Sequence, residues 1–99
     1  MLGYGRAYAT ALRQEGFGLY EKGDVPGALD KMNAMLNVFR DIGHLSGEIS
    51  ALFSLALLEE ESGKIEQAVN HYKTLLKINP DHIQARDRLG QIEQQIKKQ

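Results

Sequence analysis

Apolar residues in this chain recur every three or four positions. From 28 to 39 they are Ala28, Leu29, Met32, Met35, Leu36 and Phe39. From 51 to 58 they are Ala51, Leu52, Leu55, Ala56 and Leu58, and from 65 to 78 Ile65, Ala68, Val69, Tyr72, Leu75, Leu76 and Ile78. This is the helical period, with a stripe wide enough to be buried on more than one side. No stretch alternates with period two, so the pattern predicts an all-α fold. Five helices are expected, over roughly 5–22, 25–41, 46–62, 65–78 and 81–97.

The punctuation between the stripes agrees. Gly23 and Gly63 can take the left-handed conformation that ends a helix. Pro26 falls in a first turn, where its missing N–H costs nothing, and Asp24 before it is a plausible N-cap. Pro80 drives Asn79 out of helical geometry, and Asp81 offers a cap or first-turn carboxylate to the fifth helix.

The pattern also repeats. Gly23 matches Gly63, Val25 matches Ile65, Ala28 matches Ala68 and Leu36 matches Leu76, all 40 positions apart. A shorter step of 34 carries Leu55-Ala56 onto Leu89-Gly90. Repetition on this scale predicts stacked helix pairs, each burying its apolar face on its neighbours. The six extra residues of the first step fall within 40–48, which suggests a longer second helix followed by a looser connection.

With these residues in register, the chain resembles the tetratricopeptide repeat (TPR) family. The second unit supplies Leu55-Ala56, Gly63, Ala68-x-x-x-Tyr72, Leu75 and Pro80 at the family's positions. The first supplies Gly16, Gly23, Ala28 and Met32, with Glu15 in place of the usual Leu and Arg40 in place of the Pro. Small residues let paired helices approach, and the aromatic fills space between units. The resemblance implies antiparallel helix-pair repeats stacked as a short right-handed superhelix. A single domain over 1–99 would hold units at about 5–41 and 46–80, and a C-terminal capping helix at about 81–97.

Composition adds bounds. The chain has 99 residues, a net charge of −1 and no cysteine. It has room for one domain. Neither a basic stripe for nucleic acid nor a thiolate chemistry is expected. No apolar run reaches the length of a membrane span and no secretory signal is evident, so membrane association is not expected and the cytoplasm is the default compartment. Gly63-Lys64 lacks the upstream Gly and following Ser/Thr of a phosphate loop and reads as a turn. His44, His71 and His82 have no i, i+4 pairing suited to zinc. His44 is expected in the inter-unit connection and His71 facing solvent. Glu59, Glu60 and Glu61 are expected to form a solvated helix end, with an acidic lip on a binding surface as the alternative. No catalytic constellation stands out, so neither an enzyme nor a cofactor is expected.

What the resemblance implies for function is binding. The groove would be lined by Thr10, Arg13, Phe17 and Tyr20 from the first helix. The third would add Ser50, Phe53, Ser54, Leu57 and Glu60, and the capping helix Gln84, Arg88 and Gln91. Phe17, Tyr20, Phe53 and Leu57 would form an apolar strip for the anchors of a peptide or protein partner. Arg13 and Arg88 would pair a carboxylate at one end, with Glu21, Glu60 and Glu61 towards the other. The five-residue carboxylate grip of some family members is matched only at Arg13 and Arg88, because Phe17, Ser54 and Gln84 depart from it. The alternative is a structural role. The first unit has no neighbour on its N-terminal side, and Tyr4, Tyr8, Leu36 or Phe39 could form an edge through which a homodimer completes its core.

Overall fold

The computed structural model describes residues 2–98, with side chains from Gly5 onward. Five α-helices follow one another: α1 (Leu2–Glu21), α2 (Val25–Asp41), α3 (Leu45–Glu61), α4 (Ile65–Ile78) and α5 (Ile83–Lys98). There is no strand among the described residues. Each helix packs on the next in sequence. The fold is therefore all-α and repeat-like, as the periodicity predicts.

The first three joints are built alike, 20 residues apart. Gly23, Gly43 and Gly63 all hold positive φ, at 90°, 67° and 84°. In each joint the glycine N–H returns to the carbonyl three residues back, and the next N–H reaches five back: Asp24 to Leu19 (2.9 Å), His44 to Phe39 (2.9 Å) and Lys64 to Glu59 (2.8 Å). This double closure satisfies carbonyls that the helix end would orphan, and it needs a residue without Cβ strain at the left-handed position. The expected looser connection near 41–48 is therefore corrected. Ile42-Gly43-His44 is as tight as the other joints, and its glycine was not recognised in the sequence.

The six extra residues lengthen helices, α2 as expected and α3 as well. α2 has 17 residues where α4 has 14. α3 begins at Leu45, ahead of Ala56 by a turn more than α5 begins ahead of Gly90. The added turn is packed: Gly47 is buried, and the Phe39 ring occupies the space a Cβ there would need. Arg40 also pairs with Glu48 across the joint (Nε–Oε2 3.1 Å).

Capping follows the sequence in part. Asp24 Oδ1 accepts from Gly27 N–H (2.9 Å) as expected. His44 caps α3 through Nδ1, accepting from Gly47 N–H (2.9 Å). The fifth helix is capped by His82, whose Nδ1 accepts from Ala85 N–H (3.1 Å), rather than by Asp81.

The core runs through all five helices. α3 lies at its centre and buries Ala51, Leu52, Leu55, Ala56 and Leu58 on more than one side. Gly16 lets α1 close on α2: a Cβ there would meet Met32 Cε at 2.9 Å. α5 buries only Ala85 and Ile92 and leaves Ile83 and Ile96 exposed. The Cα trace spans 49 × 32 × 16 Å, a slab whose thin dimension is that of two packed helix layers.

Candidate functional site

Polar side chains tie α1, α3 and α5 together along one side of the slab. Arg13 Nη2 donates to the Ser50 hydroxyl, joining α1 to α3. Tyr20 OH donates to Glu61 Oε2 at the other end of the same helix pair. Arg88 joins α5 to α3 by gripping Glu60 with both arms of its guanidinium, Nε–Oε1 at 3.1 Å and Nη2–Oε2 at 2.6 Å. These cross-links bring the first, third and fifth helices onto one surface, the surface on which the groove residues were expected.

Between α1 and α3 lies an open cleft of about 370 Å³. Phe17, Tyr20, Ser54 and Leu57 line it, together with Leu58, Glu21 and Glu61. Helical spacing explains the set. Phe17, Tyr20 and Glu21 share one face of α1, and Ser54, Leu57, Leu58 and Glu61 share one face of α3. Phe17 remains 43% exposed although it is aromatic and faces a neighbouring helix. Glu21 and Glu61 stand at this end of the groove as expected, and Leu58 is the one lining residue that was not expected. Its i+4 spacing from Ser54 was the available signal.

The remaining expected residues divide. Phe53 lies half-buried, away from this cleft, with its ring 6.1 Å from Tyr72 and 5.1 Å from His82, centroid to centroid. The expected apolar strip is thus split in two. Thr10 is exposed, but its hydroxyl turns back to the carbonyl of Arg6 (3.0 Å). Gln84 and Gln91 are exposed on α5. Arg13 is half-buried, and its Nε is buried with no hydrogen-bond partner.

Arg88 and Glu60 were expected at opposite ends of the groove, and that is corrected. They form one bidentate pair, which also holds Tyr72: its phenol donates to Glu60 Oε1 (3.0 Å). Tyr72 is fully buried. Burial, then the Glu60 bond, pushes its ionisation well above the ordinary tyrosine range. The Glu60 hydrogen bond in turn holds Arg88 more firmly protonated. An arginine committed to an internal carboxylate has little charge left for a ligand.

Two further expectations fail on burial. Glu59 is 5% exposed, not part of a solvated helix end. It accepts from His71 Nδ1 at 2.6 Å, so His71 turns inward to Glu59 and is not a solvated histidine. The nearby Ser62 hydroxyl is turned to the carbonyls of Leu58 (2.8 Å) and Glu59 (3.2 Å). No cluster of three or more metal-ligating side chains occurs among the described residues.

The expected dimer edge is reduced. Leu36 and Phe39 are 3% and 8% exposed, buried in the core of the single chain, because the added turn of α3 covers Phe39. Tyr8 is 59% exposed. Tyr4 lies outside the residues whose side chains are described. Among the described residues no helix is long and apolar enough to cross a membrane. No family model matches the chain, and no curated protein matches it.

Proposed function

We propose that the chain is a non-catalytic protein-interaction module of the TPR type, which holds a peptide segment in the cleft between α1 and α3. The observation that carries this reading is the cleft itself. Phe17, Tyr20 and Leu57 present apolar surface in a concave site of about 370 Å³, large enough for one or two anchoring side chains. An exposed aromatic in a concavity is a costly place to leave apolar surface unless something covers it. The cross-links at Arg13–Ser50 and Tyr20–Glu61 hold the two walls in place before a ligand arrives, which lowers the ordering cost of binding.

Selection of a phage-displayed random 12-mer library tests the reading. Phe17→Ser removes the exposed ring with little expected change to the core. Peptides with an apolar anchor should be recovered by the wild-type chain and lost on the variant. A selection that enriches nothing dependent on Phe17 would remove the cleft as the binding site.

A further inference from the structure

The cleft carries a charge pattern as well as an apolar floor. Its two titratable side chains of fixed charge are Glu21 and Glu61, and no lysine, arginine or histidine lines it. Both glutamates are exposed, and neither takes part in an ion pair among the described residues. The one hydrogen bond into the pair comes from the Tyr20 phenol, a neutral donor that leaves the carboxylate charge in place. Glu61 shows its charge on that donor by pushing the Tyr20 ionisation upward.

None of the nearest cations lines the cleft: Lys22, beside Glu21, lines the hollow with Glu15 and Lys31, and Lys64, three residues after Glu61, is exposed outside the lining. Arg88 is held by Glu60 on the α5 side. Lys31 pairs with Glu15 at 3.0 Å, on the surface between α1 and α2. Arg13, a turn before Phe17, keeps its charge, since Ser50 is a neutral partner, but it lies outside the cleft lining. An acidic segment entering the cleft would therefore meet like charge at its rim, and a basic one would meet two unneutralised carboxylates.

We infer that the occupant is a peptide segment in which an apolar anchor is flanked by lysine or arginine, the anchor seated on Phe17 and Leu57 and the cation facing Glu21 and Glu61. This inference rests on the cleft being the peptide site. It excludes the opposite chemistry, an acidic or carboxylate-terminated tail, as the preferred ligand of this cleft.

The random 12-mer library is selected in parallel on the wild-type chain, on the double variant Glu21→Lys/Glu61→Lys and on Phe17→Ser. Both glutamates are exposed, so the double variant should fold, and its far-ultraviolet dichroism is checked alongside. Wild-type selectants should carry Lys or Arg beside the anchor, and those of the double variant Asp or Glu. Replacing the flanking cations of a wild-type selectant by Gln should weaken binding about fivefold for each rim carboxylate engaged. That loss should shrink at high salt. Selectants that need Phe17 but carry neutral or acidic flanks would overturn the charge inference and leave the cleft assignment standing. The absence of any Phe17-dependent selectant would overturn both.

Discussion

Glu60 accepts from Arg88 on α5 and from Tyr72 on α4, so one side chain of α3 fastens two helices. Its two partners differ in what they lose without it. Tyr72 is fully buried, and removing its acceptor leaves a phenol with no water to turn to. Glu60→Ala should therefore destabilise the chain by about 1–3 kcal/mol in urea unfolding. Arg88 is 39% exposed on its side chain, so Arg88→Ala should cost less than about 1 kcal/mol. Equal losses for the two variants would contradict this division. Tyr72 also fixes a pH dependence. Its ionisation is raised in the folded chain by burial and by Glu60. Such a group contributes its full stability below the free tyrosine pKa of about 10 and loses it as pH rises above that value. Stability should thus fall in alkali by up to about 1.4 kcal/mol per pH unit from this group, and Tyr72→Phe should remove that part of the slope. None of this network was legible in the sequence. Glu59, Glu60 and Glu61 look alike as a run, yet the helix turns them to three environments: His71, Arg88 with Tyr72, and the cleft rim. Which neighbour each meets depends on α4 and α5, and helical spacing within α3 does not say.

The helices themselves were legible, because their cause is local. Expected and observed bounds agree within about three residues, and α2 and α4 agree at both ends. Spacing of apolar residues, Pro26 and the glycines at 23 and 63 suffice for that. The tight closure at 42–44 is not legible from the 40-residue repeat, which masks the 20-residue recurrence of Gly23, Gly43 and Gly63. The glycines now separate by mechanism. Gly43 has open space around it and a φ of 67°, so Gly43→Ala meets only backbone strain and should cost about 1 kcal/mol or more. Gly90 also has open space, but lies within α5 at ordinary helical φ. Gly90→Ala should instead stabilise by about 0.5–1 kcal/mol. Thermal unfolding of the two variants checks the opposite signs, and a loss at Gly90 would mean that its outer side is occupied in solution. The small residue that the repeat register places there has no helix against it, unlike Gly16 beside Met32.

At the scale of the molecule, the slab closes its core within one chain. Leu36 and Phe39, the larger part of the described dimer edge, are inside it. Sedimentation equilibrium should accordingly give the 11.1 kDa monomer over a wide concentration range. A stable species of twice that mass would restore the edge at Tyr8 as an interface. Phe17, Tyr20, Ser54 and Leu57, which the sequence register put on one surface, line one cleft. The register misplaced Phe53 and Arg88, because their partners Tyr72, His82 and Glu60 come from the stacking of units and not from any one helix. The proposed peptide site is the α1–α3 cleft. Amide and methyl shift mapping of the isotope-labelled chain with a selected 12-mer tests it most directly. Shifts should concentrate on Phe17, Tyr20, Glu21, Ser54, Leu57 and Glu61. Shifts centred instead on the exposed faces of α2 and α4, with the cleft unmoved, would contradict that site.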